Sequence, residues 1–233
     1  MTTITASGLR RVFEHGNHEV VAIDDISLAV PAGEFVTITG PSGSGKSTLL
    51  QLLGLIDRPS AGSLHLNGVD TADLSDDERS EHRRRRCGFV FQSFMLLEGL
   101  TAWENVALPA LLDHRPAKGR RERALELLDE VGLARRADHR PDELSGGEQQ
   151  RVAIARALMA DPDVIYADEP TGALDQHTAT EVMEQLVRLT VGAGHTLIVI
   201  THDPTVASLA PSHGGRSISL LDGRIDEVVP SRT

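Results

Sequence analysis

The sequence predicts an α/β protein: a mostly parallel sheet flanked by helices, with an N-terminal antiparallel β part and an inserted α-helical lobe. Three observations point there. Residues 34–39, 87–91, 164–168 and 196–201 are short apolar runs of the kind that form buried strands, and helical stretches or turn clusters separate them. Residues 4–13 and 20–30 instead alternate apolar and polar side chains around a polar, glycine-bearing tip, as antiparallel strands do. Residues 102–112 and 120–131 space their apolar side chains at i, i+3 and i+4, with Pro116 and Gly132 as breaks. The chain of 233 residues therefore reads as one domain: residues 1–92 and 160–233 form the core with its antiparallel part, and 93–159 the helical lobe.

Taken in order, the first pair of strands contains Phe13, one of few aromatics in a chain where they make up 3% of residues. A flat ring suits a nucleotide base, but simple core packing is the better reading of Phe13 from the residues alone. The strand at 34–39 then runs into Gly40, Pro41, Ser42, Gly43, Ser44, Gly45, Lys46, Ser47 and Thr48, which fits the spacing G-x-x-x-x-G-K-[ST] between a strand and a leucine-rich helix start. Gly43 and Gly45 let successive backbone N–H groups turn inward around an anion, and the helix start adds free N–H groups and a positive dipole end. Lys46 would reach the phosphates, and Ser47 would place its hydroxyl on Mg²⁺. Of the 23 basic residues only Lys46 and Lys118 are lysines, so an arginine-built chain uses the compact point charge at this loop.

After a turn cluster at 57–62, a short strand at 63–66 enters a tight turn at Asn67-Gly68. A helix over 75–86 ends in four arginines, read as a solvated face that suits the helix C-terminus in preference to a docking surface. The strand 87–91 ends in Gln92, by itself an ordinary polar loop residue, although α/β sheets bind ligands at such strand ends. Ser145 is a plausible N-cap, and Gly146 and Gly147 leave a helix start uncovered, a second anion site. The strand at 164 ends in Asp168 and Glu169, a pair that can divide labour: Asp168 toward a metal's water shell, Glu169 toward a water to be activated. Past a helix over 178–189, the strand 196–201 ends in His202, a donor to phosphate or a neighbour of the Asp203-Pro204 cap on equal terms. A hairpin at 216–228 closes the chain.

Composition narrows the functions. A net charge of −11 argues against nucleic acid as a partner, and no ligand pair such as H-E-x-x-H marks a dedicated metal site. Cys87 is the only cysteine, which excludes an intramolecular disulfide and a cysteine zinc knuckle. No apolar run is long enough to cross a membrane and the first residues lack a signal-peptide pattern, so a cytoplasmic location is expected.

The ordered set of 40–48, Gln92, Leu144-Ser-Gly-Gly-Glu-Gln-Gln-Arg151, 164–169, Ala173-Leu-Asp175 and His202 resembles the nucleotide-binding subunit of ATP-binding cassette (ABC) transporters over essentially the whole chain. Residues 88–92, 100–106 and 166–175 look like the branch that includes the lipoprotein-releasing and macrolide-export ATPases. The resemblance implies a P-loop NTPase core, ATP and Mg²⁺ as cofactors, and adenine stacking on Phe13, where tyrosine is the commoner residue. It implies phosphate and metal contacts from Lys46, Ser47 and Thr48, and a metal and water contact from Gln92 that reports to the membrane partner. Glu169 would be the catalytic base and His202 the γ-phosphate switch. Ser145 and Gly147 would complete the ATP site of a second, head-to-tail copy, with Asp175 at the seam. Glu148 departs from the family's usual glutamine. The implied partners are that second copy and a separately encoded integral-membrane permease for export or extraction, holding the chain peripherally at the inner face of the cell membrane. The alternative is a soluble ABC-type ATPase of DNA repair, translation or cluster assembly; such proteins carry coiled-coil insertions, zinc modules or two cassettes, which this sequence lacks. Residues 92–106, with Phe94, Met95, Leu96, Leu97 and Leu100, suggest a receiving groove for a short helix of the partner.

Overall fold

The computed structural model describes residues 2–16, 18–114 and 116–231. In chain order its elements are β1 (Thr2–His15), β2 (His18–Pro31), β3 (Phe35–Thr39), α1 (Lys46–Leu53), β4 (Ala61–Leu66), β5 (Val69–Asp70), α2 (Asp76–Arg86) and β6 (Cys87–Phe91). Next come α3 (Ala102–Leu112), α4 (Ala117–Glu130), α5 (Gly146–Leu158), β7 (Val164–Asp168) and α6 (Gln176–Thr190). The chain closes with β8 (Thr196–Ile200), α7 (Pro204–Ala207), α8 (Leu209–Ser212), β9 (Arg216–Leu221) and β10 (Arg224–Val229). Two sheets result. One is antiparallel in the order β2-β1-β4-β5; the other runs β10-β9-β3-β8-β7-β6, parallel except for β10.

The parallel sheet is buried on both faces, which is why its strands read as apolar runs without alternation. Successive residues nevertheless go to opposite sides. Ile165, Ala167, Leu197 and Val199 join an apolar cluster with α5, α6 and the helices of the lobe. Val164, Tyr166, Ile198 and Ile200 join a second cluster with α1 and the antiparallel sheet. Residues Ala102, Val106, Ala110, Leu127 and Leu128 of α3 and α4 belong to the first cluster, so apolar packing continues from the sheet through α5 into the lobe. Each fully buried leucine or isoleucine contributes about 1.5–3 kcal/mol of transfer free energy, so these two clusters dominate the fold.

Local chemistry decides where helices begin. Ser75 with Glu78, Thr101 with Glu104 and Ser145 with Glu148 form reciprocal capping boxes at the starts of α2, α3 and α5. The arginines that end α2 are only in part the solvated face that the sequence suggests: Arg85 and Arg86 are exposed, yet each of the four has a partner. Arg83 donates to the Leu55 carbonyl at 2.7 Å, Arg84 and Arg85 reach Asp113 at the end of α3 at 3.4 and 3.0 Å, and Arg86 reaches Asp163 at 3.2 Å. They tether α2 to the lobe and to the entry of β7, and the acceptors are too far along the chain for any local pattern to announce them.

Tyr166 is fully buried on β7, stacks against Phe89 and donates its hydroxyl hydrogen to the Leu53 carbonyl at the end of α1 at 2.7 Å. Tyr166→Phe keeps the ring but strands that carbonyl, so it should lower the unfolding free energy by about 1–3 kcal/mol in urea titrations. An unchanged midpoint and slope would count against the assigned bond.

Candidate functional site

The loop after β3 is shaped by close backbone approaches. Gly40, Gly43 and Gly45 take φ values of 143°, 81° and 97°. A Cβ at Gly40 would fall 2.2 Å from the Leu220 carbonyl oxygen, and one at Gly45 would fall 2.3 Å from that of Ala22. The loop is therefore pinched between β9 of one sheet and β2 of the other, where only glycine fits. Gly223 N–H donates to the Ser44 carbonyl at 3.1 Å and Asp24 N–H to the Gly223 carbonyl at 2.9 Å, tying the same three segments together. Lys46 Nζ donates to the Gly40 and Pro41 carbonyls at 2.9 and 2.8 Å, arching over the loop. The buried Ser44 hydroxyl has no hydrogen-bond partner.

The other candidates arrive through sheet register. Ile38 on β3 lies opposite Ile200 on β8, Ile200 opposite Asp168 on β7, and Asp168 opposite Phe91 on β6. All four strands run the same way, so the phosphate loop, His202, Glu169 and Gln92 emerge along one edge. Ser42, Gly43, Gly45, Lys46, Ser47, Thr48, Asp168, Glu169 and His202 line one cleft of about 430 Å³ with Val20, Val21, Ala22 and Ile200. Burial pushes the Asp168 carboxyl above its usual range and the Glu169 charge adds to this, while a hydrogen bond with Ser47 and the Lys46 charge act the other way. Glu169 sits in the left-handed region at φ 47°, and its carboxylate meets His202 Nδ1 at 2.8 Å. The imidazole itself is 73% exposed.

These features fit a polyphosphate with its divalent cation. The loop offers three glycines at positive φ leading into a helix start, a lysine and an unpartnered buried hydroxyl, and the raised Asp168 carboxyl beside Ser47 would be eased by a cation. Among the described residues no group of three or more His, Cys, Asp or Glu side chains could hold a metal ion. A cation here would draw on phosphate, water and one or two protein oxygens, as Mg²⁺ does.

Not every sequence candidate lines this cleft. Phe13 does not, although it pairs with Val20, which does; the Arg11 guanidinium lies 4.5 Å from the Phe13 ring centroid. Gln92 is exposed and lies against Gly172, where a Cβ would fall 2.8 Å from Gln92 Nε2. Ser145, Gly146, Gly147 and Asp175 form a separate group. Ser145 caps α5, while Asp175 caps α6 by accepting from His177 N–H and Thr178 N–H at 3.1 Å each. A Cβ at Gly147 would fall 2.5 Å from Thr178 Cγ2, so the glycine lets the two helix starts meet. Glu148 has a local reason to be acidic: its carboxylate accepts from Ser145 N–H at 2.8 Å and pairs with Arg136 at 3.2 Å.

Sequence reasoning missed one feature and only partly placed a second. The first is Gln150, fully buried on α5, whose amide donates to the Pro170 carbonyl beside Glu169. The second is a groove of about 460 Å³ between α2, β6 and the lobe, lined by Ile56, Phe89, Phe91, Met95, Leu108 and Leu112 among others. Of the five apolar residues expected to form a groove, Met95 lines it, whereas Leu96 packs against the core. The rest of the lining comes from residues that flank that segment, such as Phe91 and Leu108, and from α2, α5 and Ile56, while no local signal marks Gln150.

Comparison with known proteins agrees with this geometry. The family described as ABC transporter matches residues 23–172. The macrolide export ATP-binding/permease protein MacB of Rhodopseudomonas palustris (strain HaA2) is 51% identical over 222 residues, 95% of this chain and 33% of that protein. That of Neisseria meningitidis serogroup B is 47% identical over 225 residues, 97% of this chain and 34% of that protein. The chain thus spans about a third of the length of these curated relatives. Among solved structures, the ATP-binding cassette MJ0796, in a dimeric post-hydrolysis state bound to ADP and Pi, superposes with a TM-score of 0.89 at 42% identity and 99% coverage of both chains.

The cap of α5 has a pH signature. Accepting from Ser145 N–H holds the Glu148 carboxyl below its ordinary value near 4.5. A depressed folded pKa contributes stability above the unfolded value that disappears as pH falls through the folded one. Wild type should therefore melt above Glu148→Gln at pH 7, and the gap should close as pH drops below about 4.5. A gap unchanged between pH 7 and 3 would refute the charge-assisted cap.

Proposed function

This chain belongs to the ABC transporter family, and we propose that it is an ATPase subunit that dimerises head to tail around two ATP molecules and powers a membrane permease. The observation that best supports this reading is the shared cleft in which Lys46, Ser47 and the phosphate loop meet Asp168, Glu169 and His202. The loop N–H groups and Lys46 hold the β- and γ-phosphates, and the adenine stacks on Phe13 beside Val20. Ser47, Asp168 and Gln92 would hold Mg²⁺, which when bound offsets the charge of the phosphates. Water attacks the γ-phosphorus as the bond to the bridging oxygen of ADP breaks, a reaction that needs positioning and charge stabilisation more than covalent help. Glu169 takes the proton of that water. His202, whose ring is largely exposed, turns from Glu169 to a γ-phosphate oxygen and senses its presence.

Ser145, Gly146 and Gly147 lie outside the cleft and supply their donors to the ATP held by a second copy, with Asp175 at the seam. The dimeric, ADP- and Pi-bound state of the similar cassette supports this arrangement. Splitting the donors between copies makes hydrolysis depend on closure, so binding energy can drive a movement. Within the lobe, α3 and α4 move with the permease, which docks a short helix in the groove beside Met95 and Leu112, while α5 stays seated against the sheet. The names of the similar proteins, which pair ATP binding with a permease in macrolide export, support an export role; the chain works at the inner face of the cell membrane through that permease. No helix among the described residues is long and apolar enough to cross a membrane.

Two substitutions test the reading. Lys46→Ala removes the one point charge of the loop and should lower ATP hydrolysis by about 100-fold or more, with circular dichroism unchanged. Turnover within twofold of wild type would sink it. Leu112, 61% exposed on the groove, tests the partner. Leu112→Glu should keep ATP hydrolysis in the absence of permease and lose permease co-purification and transport; unchanged co-purification would displace the docking site from this groove.

A further inference from the structure

Gln150 lies one turn into α5 and is fully buried. Its Nε2 donates to the Pro170 carbonyl oxygen, and its Oε1 has no partner. An apolar side chain of the same length would fill this position without stranding a buried oxygen, so packing alone does not account for an amide there. What the bond holds does. Pro170 directly follows Glu169, whose left-handed φ of 47° is a conformation a glutamate keeps only when its surroundings enforce it.

The ties around that residue can be followed one by one. Glu169 N–H donates to the Ile200 carbonyl at 3.0 Å, which fixes the turn to β8, and Gly172 N–H donates to the Glu169 carbonyl at 3.0 Å, which closes it. The next peptide is anchored from the helical side of the sheet by the Gln150 amide, and proline has no N–H with which to anchor itself. Helix α5 is firmly seated to serve as that anchor. Val152, Ile154, Ala155 and Leu158 are buried in the cluster shared with the sheet and the lobe. Arg156 also donates to the carbonyls of Phe94 and Met95, two successive left-handed residues at φ 58° and 49°.

We infer that Gln150 is a positioning residue for Glu169: by gripping the Pro170 carbonyl from α5 it keeps the strained turn, and with it the carboxylate, aimed at the phosphate loop. The inference rests on the ATPase reading above and deepens it. It assigns Gln150 no contact with nucleotide, so ATP affinity is independent of the amide while the chemical step depends on it.

The test uses Gln150→Met, which keeps length and volume without a donor, and Gln150→Glu, which places an acceptor against the carbonyl. Both should bind a fluorescent ATP analogue with wild-type affinity within twofold, while kcat falls roughly 10- to 100-fold, more for Glu than for Met. A kcat within twofold of wild type in Gln150→Met overturns the inference. So does loss of analogue binding together with kcat in both variants, because the amide would then be holding the fold and not the turn. The wild-type rate is measured first: absence of any ATP hydrolysis counts against the ATPase reading itself, whereas an active wild type with an equally active Gln150→Met counts against this inference alone.

Discussion

Hydrogen-bond register across β3, β8, β7 and β6 sets Ile38, Ile200, Asp168 and Phe91 in one row, and the rest of the site follows from that row. Four parallel strands in register release their next residues on the same edge, so a glycine loop, a histidine, a carboxylate pair and an amide from four distant stretches converge without any contact between those stretches in sequence. The constraint is stiff, since slipping one strand by a residue would turn its buried side chains to the opposite face. Tyr166 would then leave the Leu53 carbonyl, and the end of α1 would lose its tie to the strand that carries Asp168.

A second constraint joins the two sheets. Gly40 against Leu220 and Gly45 against Ala22 leave no room for a side chain, so the glycine loop is a rivet between β9 and β2 in addition to the cradle proposed for the phosphates. This accounts for the place of the antiparallel sheet, whose residues Val20, Val21 and Ala22 form a wall of the cleft. It also separates two kinds of surface. The cleft at the loop sets Lys46, Ser47, Asp168, Glu169 and His202 opposite that apolar wall, whereas the groove between α2, β6 and the lobe is lined largely by apolar side chains. Helix α5 lies between them, bonded through Gln150 to the turn after Glu169 and through Arg156 to the turn after Gln92.

Much of this was legible in the sequence because it is written locally. The phosphate loop is one contiguous pattern, the buried strands are continuous apolar runs, and Ser145 announces its helix as an N-cap, a cap that Glu148 completes in the fold. What was not legible depends on partners far along the chain. The four arginines of α2 read as a solvated face until Leu55, Asp113 and Asp163 are in place around them. Gln150 looks like one of several polar residues at a helix start, and only the fold reveals that it is buried against Pro170. Leu97 and Met95, two residues apart, are both exposed, yet Met95 alone of the pair lines the groove.

In the proposed dimer, one chain's Glu169 and another chain's Ser145 act on the same nucleotide. Sedimentation of Glu169→Gln with and without ATP at matched protein concentration tests it most directly, because a chain that binds ATP but cannot activate water should hold the closed state. A shift from monomer to dimer that requires ATP, and that Ser145→Arg abolishes, is the predicted result. A Glu169→Gln chain that stays monomeric at saturating ATP would contradict the shared site.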